Sequence, residues 1–270
     1  MSTGAHDMQL VADLSDADRR VVPAFGIHPW AAHTVSLAHE QTYADLFGDA
    51  QDDATSTIAH LPARVPLADA LAQQRALLQQ YPDALVGEVG LDRSFRLPAP
   101  QGSPTRFSSL QTPIEHQLAV LRAQINVAKE LARSVSMHSV RAAGHTLELL
   151  DEVYAADGPH PSTSALRADK DIVLHSCTLS PESIRQVQRK HRQVYVSFST
   201  TINARQRALD AQIAAADPAR ILSESDTSSD FAAHTRAATA RIAHVWHVDE
   251  ATAAARLAAN FSKFHSNDCI

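Results

Sequence analysis

The sequence predicts an α/β fold of the barrel type, and three observations carry that expectation. From Val21 onward, short apolar runs alternate with stretches of helical periodicity, the pattern of parallel strands joined by helical crossovers. Polar residues close successive apolar runs, which is how a barrel assembles a site at one end of its strands. No GxGxxG or GxxxxGKS loop is present, the feature that usually announces a doubly wound open sheet. The length of 270 residues suits one α/β barrel as well as two small domains.

Taken in order, residues 5 to 14 form a short helix with Leu10, Val11 and Leu14 on one face. Val21 to Ile27 is a strand that Pro23 allows to start irregularly, closed by His28-Pro29-Trp30. Asp45 to Pro66 is polar and mixed, and reads as a loop. Leu67 to Gln80 is a helix that Tyr81-Pro82-Asp83 stops. Leu85 to Asp92 is a strand, and a Pro/Ser-rich insert, Leu97 to Gln111, leaves its end as a loop or lid over the site. The next helix starts with Thr112 as cap, Pro113 at its first position and Glu115 closing a capping box, and it ends near Arg133. Val135 to His138 is a strand, Leu147 to Val153 a helix, Ala155 to Asp169 a loop and Ile172 to His175 a strand. Ser180-Pro181 starts a helix that runs to about His191. Val194 to Phe198 is a strand, and Arg205 to Ala216 a helix stopped by Pro218. Ile221-Leu222 leads into Ser223-Glu224-Ser225-Asp226, and a last helix capped by Asp249 reaches Asn260.

Composition bounds the function classes. Formal net charge is −6, which argues against a broad electropositive face for duplex DNA. It leaves room for a small phosphate site whose positive charge comes from metal ions. The two cysteines, Cys177 and Cys269, form no CxxC pair, so the expectation is a reducing compartment. No run approaches transmembrane length and MSTGAHDMQL shows no signal-peptide pattern, so an intracellular protein without a membrane partner is expected, cytoplasmic, nuclear or both.

Glu88, His138, His175 and Asp226 lie at the ends of four different expected strands. A Glu in an apolar strand is costly unless it is paired, hydrogen-bonded or bound to a cation. The glycines around Glu88 leave room beside its carboxylate. Each residue also has a structural reading, such as a backbone-bonded buried His or a helix-capping Asp. Together the nitrogen and oxygen donors suit Zn, Mn or Mg. A carboxylate can bridge two ions, and such a pair activates water and stabilises a leaving oxygen. This composite does not separate phosphoesters from amides or esters, because barrel amidohydrolases use similar ligands.

The pieces FGIHPW, GEVGLD, SVSMHSV, IVLHSC, VYVSFST-TIN, ILSESD and NFSKF follow one another between His6 and Phe264. In that order they resemble the TatD-type metal-dependent deoxyribonucleases, most closely the fungal branch. The resemblance implies one (β/α)8 TIM barrel of the metal-dependent hydrolase type over residues 1–270. It also implies a two-ion site and cleavage of DNA phosphodiester bonds, typically as an exonuclease; the expected substrate is single-stranded DNA. It makes Glu88 the bridging and catalytic ligand, His138 and His175 the holders of one ion, and Asp226 the ligand of the other that helps activate water. His28 then sits near the substrate phosphate.

The chain departs from the family at three places. It contains no His-x-His, so the expectation is a barrel incomplete at its N-terminus, with two ligands missing, one ion bound in place of two and activity impaired. A start codon assigned too late would account for the same departure. Arg141 stands one place from the family's arginine, and His-Ser-Cys replaces the commoner His-Cys-Phe at His175. Two other functions compete with the nuclease: an inactive homologue that binds a protein partner, and a barrel amidohydrolase or esterase.

Overall fold

The computed structural model describes residues 1–48, 52–154, 170–204 and 206–265. Contacts divide the chain into two compact units, Met1–Leu131 with Val140–Ala142, and Ala132–Ser139 with Ala143–Ile270. The expected alternation is present in both: parallel strands, each separated from the next by helix.

In the first unit, α1 (Met8–Ala17) precedes β1 (Ala24–Phe25), β2 (Val35–Ser36), α2 (Tyr43–Phe47), α3 (Asp52–Ile58) and β3 (Val65–Pro66). Then come α4 (Leu67–Gln80), β4 (Leu85–Asp92) and α5 (Ile114–Glu130). β1 runs parallel to β4, with Ala24 opposite Leu85 and Phe25 opposite Val86, and β2 pairs with β3 separately. Gly26 is required at the exit of β1. A Cβ there would meet Val89 Cγ1 at 2.7 Å and Glu88 O at 2.9 Å, so only glycine lets the two strands close up beside Glu88.

Two buried glutamines on one face of α5 satisfy backbone groups at the strand exits. Gln124 accepts from Ile27 N at 2.6 Å and donates to Ile27 O at 3.1 Å. Gln117 accepts from Asp92 N at 2.8 Å and donates to Asp92 O at 3.0 Å. Buried backbone polar groups need such partners, so α5 holds the chain immediately before His28 and at the end of the Glu88 strand.

The second unit carries β5 (Val135–Val140), whose last residue belongs to the first unit, then α6 (Ala143–Val153), β6 (Ile172–Leu174) and α7 (Pro181–Lys190). β7 (Val194–Ser199), α8 (Thr200–Asn203), α9 (Leu209–Ala215) and β8 (Ile221–Glu224) follow, then α10 (Phe231–Trp246) and α11 (Glu250–His265). β5, β6, β7 and β8 pair in that order, all parallel. Met137 faces Leu174, and Ser199 faces Glu224. α10 and α11 pack on β8 and on each other. Asn260 of α11 donates to Pro218 O and Ile221 O at 2.8 and 2.9 Å, which fixes the start of β8.

Several expectations need correction. The segment Asp45–Pro66 is not a plain loop, for it contains most of α2, with α3 and β3. Thr42 and Asp45 form a reciprocal capping box that makes α2 possible in so polar a stretch. α10 went without an expected element because its alanine-rich sequence buries only Ala238, Ile242 and Ala243. The strand expected over Val21–Ile27 narrows to Ala24–Phe25. Thr112 does not cap α5: the N-cap is Pro113, the helix starts at Ile114, and Thr112 Oγ1 is buried without a hydrogen bond. Ser180 and Asp249 do cap as expected, accepting from Ser183 N at 3.1 Å and Thr252 N at 2.7 Å. The helix expected from Arg205 begins only at Leu209; Arg205 itself, the expected loop Ala155–Asp169 and Cys269 lie outside the described residues, while Cys177 is buried and free.

Beneath β2, burial pushes the His33 imidazole down to about 4, with Arg64 and His116 adding to the effect. Burial likewise lowers His116. An imidazole neutral when folded and ordinary when unfolded binds its proton only in the unfolded state between about pH 6.5 and 4. Stability therefore falls as pH drops through that window. Urea midpoints at pH 7.5 and pH 5 should show the loss, and His33→Phe should flatten it.

Candidate metal centre

In the second unit three groups meet at the ends of β6 and β8. His175, Glu224 and Asp226 each offer a ligand atom, all within 4.8 Å of one another. His175 is buried, and the two carboxylates are half-buried. Glu224 Oε2 lies 2.6 Å from His175 Nδ1, and Asp226 Oδ1 lies 3.3 Å from His175 Nε2. The shorter contact assigns the tautomer: Nδ1–H donates to Glu224, leaving the Nε2 lone pair toward Asp226. This is the carboxylate–imidazole pairing that prepares a histidine to ligate a metal. A neutral imidazole nitrogen and a carboxylate oxygen facing each other fit a divalent cation better than they fit each other.

Backbone conformation around the group is unusual. Ser176 and Asp226 both take left-handed φ values, +39° and +47°. Non-glycine residues rarely do so, and such strain persists where surroundings over-determine it. Ser176 N donates to Glu224 Oε1 at 2.6 Å, and Ser176 Oγ lies 2.6 Å from Glu224 Oε1 and 2.9 Å from Asp226 Oδ2. Asn203 then donates to Ser176 O and Cys177 O at 3.3 and 3.0 Å, and accepts from Ser199 N at 2.8 Å. The strand-end Ser/Thr cluster and Asn203 thus hold the turn that carries His175.

His138 stands on the neighbouring strand of the same unit, half-buried. It is one step beyond the Met137–Leu174 pair, and His175 N donates to Met137 O at 2.9 Å. The two imidazoles therefore occupy equivalent places on adjacent parallel strands.

In the first unit, Glu88 is half-buried on β4 and faces His28, with Oε1 3.4 Å from Nε2. His28 is buried, and its Nδ1 accepts from Trp30 N at 3.1 Å. Neutral His28 consequently carries its proton on Nε2, toward Glu88. That makes it a donor to an anionic group rather than a lone-pair ligand, the role expected of a residue near a phosphate. The structure thus brings His28 to Glu88 in one unit, and His138, His175 and Asp226 to neighbouring strand ends in the other.

Glu224, Ser176, Asn203, Gln117 and Gln124 escaped the residue-by-residue reading. Glu224 carries a usable signal in the sequence, as a second carboxylate two residues from Asp226 where an apolar run ends. The expected loop over Leu97–Gln111 is an ordered hairpin: Leu97 N donates to Leu110 O, and Ala99 N to Arg106 O, at 3.0 and 3.1 Å.

The profile of the family described as TatD related DNase matches residues 1–266. The Cut9-interacting protein scn1 of Schizosaccharomyces pombe is 31% identical over 275 residues, covering 85% of this chain and 78% of its own. The uncharacterized deoxyribonuclease YMR262W of Saccharomyces cerevisiae is 27% identical over 296 residues, covering 98% and 89%. Among solved structures, the TatD homologue YJJV of Escherichia coli superposes with a TM-score of 0.67 at 18% identity, over 98% of this chain and 84% of its own. A TatD family hydrolase of Entamoeba histolytica gives 0.66 at 12%, over 99% and 83%. These structures share the barrel-type fold, so the fold expectation holds. On the family profile and the fungal relative together, the chain belongs to the TatD-related DNase family.

Proposed function

We propose that this protein is a divalent-metal-dependent hydrolase that cleaves phosphodiester bonds of single-stranded DNA within the cell. The observation that carries the reading is His175 held by Glu224 with its Nε2 turned to Asp226. Membership of a DNase family supplies the substrate class. In this proposal Glu88, His138, His175 and Asp226 of one barrel domain, residues 1–270, would hold the ions. Bound divalent ions, Zn, Mn or Mg, would supply positive charge to the phosphate and to the leaving oxygen. Asp226 takes the proton of the attacking water, and His28 donates from Nε2 to a phosphate oxygen. Glu88, 3.4 Å from Nε2, orients that imidazole.

The test is a cleavage assay on an end-labelled single strand with Mn²⁺. Products should appear with the ion, vanish with EDTA and return on adding excess Mn²⁺. Turnover of an amide or lactone with none of DNA would replace the reading with an amidohydrolase. The name of scn1, a Cut9-interacting protein, favours a second reading, a protein-binding homologue without activity. It predicts no cleavage at saturating ion, and titration shows the same split. Tight binding with cleavage supports the enzyme, whereas a single weak site without cleavage supports the binding protein.

A further inference from the structure

The first unit carries an aromatic platform beside the His28–Glu88 pair. Trp30 and Phe95 stack with centroids 5.0 Å apart and planes 14° off parallel. Trp30 also meets the edge of the His28 ring, with centroids 4.8 Å apart. Despite both contacts, 47% of Trp30 remains exposed. An exposed ring alone is ordinary, but this one is also held in a fixed orientation.

It is fixed by Asp92, which is 3% exposed. One carboxylate oxygen accepts from Trp30 Nε1 at 2.7 Å. The other accepts from Ser94 N and Ser94 Oγ, both at 2.7 Å, and from Phe95 N at 3.0 Å. One buried side chain therefore aligns both rings. Phe95 is further anchored against Leu97 and Leu110, the core of the hairpin.

The hairpin supplies charge. Residues 93–111 contain three arginines, Arg93, Arg96 and Arg106, and no acidic residue, in a chain of net charge −6. All three arginines are exposed. Arg96 Nη1 donates to Ser109 O at 2.8 Å, and the Arg106 guanidinium lies 5.2 Å over the Phe107 ring. Fixed aromatic faces with arginines beside them are how proteins hold unpaired nucleotides: bases stack, and guanidinium groups follow the phosphates.

We propose that the exposed surface of Trp30, backed by Phe95, is a base-stacking subsite that holds a nucleobase of an unpaired strand beside the His28–Glu88 pair. The inference deepens the DNA-hydrolase reading and rests on it. Stacking requires an unpaired base, so the platform selects single strands over duplex without reading sequence.

The experiment compares an end-labelled oligothymidylate with an abasic deoxyribose-phosphate strand of equal length. Binding is measured by anisotropy with Ca²⁺ in place of Mn²⁺. The base-bearing strand should bind about tenfold tighter and quench tryptophan emission. Trp30→Ala should erase both the preference and the quenching, while Trp30→Phe should keep most of the preference. Arg96→Gln should instead weaken both strands alike and reduce the salt dependence. Equal binding of the two strands by the wild-type protein, absence of binding included, overturns the proposal, as does a preference that survives Trp30→Ala. Cleavage measured alongside separates the two readings. Cleavage without base preference sinks the platform alone, and base preference without cleavage sinks the hydrolase alone.

Discussion

Glu88→Ala should lower ion-dependent DNA cleavage by a factor on the order of 10³ or more, while the chain stays folded. A single preorganised donor in an active site is worth about 10²–10³ in rate. In the proposed site Glu88 would hold ions and also orients His28, so its loss should cost more. Glu88 Oε1 faces His28 Nε2 at 3.4 Å, and Gly26 lets the exit of β1 pass close to the Glu88 backbone. Removing the side chain leaves a half-buried pocket and relieves a carboxylate of partial burial, so thermal stability without ions should hold or rise. Added Mn²⁺ should not restore the rate. Wild-type cleavage by Glu88→Ala would exclude Glu88 from the chemistry.

Glu224→Gln is expected to weaken ion binding by about 10–100-fold, the range found when the outer partner of a metal-ligating histidine is changed. The glutamine keeps the shape but loses the charge that fixes Nδ1–H. It also presents only one acceptor where Glu224 serves His175 Nδ1 through one oxygen and Ser176 N through the other. Calorimetric titration with Mn²⁺ gives the affinity directly. Because the ligands themselves survive, high Mn²⁺ should rescue cleavage in Glu224→Gln, in contrast to Glu88→Ala. An unchanged affinity would mean that His175 is oriented by its backbone alone.

The contrast between these two residues shows what was legible beforehand. Glu88 announces itself, because a carboxylate between glycines in an apolar strand conflicts with burial unless something charged meets it. His138, His175 and Asp226 are legible for the same reason, each closing an apolar run. Glu224 hides beside Asp226, and its partner atom lies on a residue 48 positions before it. Gln117 and Gln124 hide more completely. On the apolar face of α5 they look like ordinary polar interruptions, and their role exists only because Ile27 and Asp92 expose backbone groups there.

Residue pattern therefore decides which groups end strands, because apolar runs and their stops follow from local burial and turn chemistry. It decides the parallel α/β class for the same reason, and it marks the starts of α7 and α11 through Ser180 and Asp249. The tautomer of His28 follows from a local bond, donated by Trp30 N two residues on, but that of His175 is decided by tertiary structure alone, since its Nδ1–H meets Glu224 on another strand. So is the ordering of residues 93–111, which looks like a solvated loop in sequence. Asp92 and the Leu97–Leu110 contact turn it into a hairpin carrying Phe95 to Trp30. Hydrogen-bond direction and ring contact are properties of pairs, and a one-dimensional pattern specifies only the members.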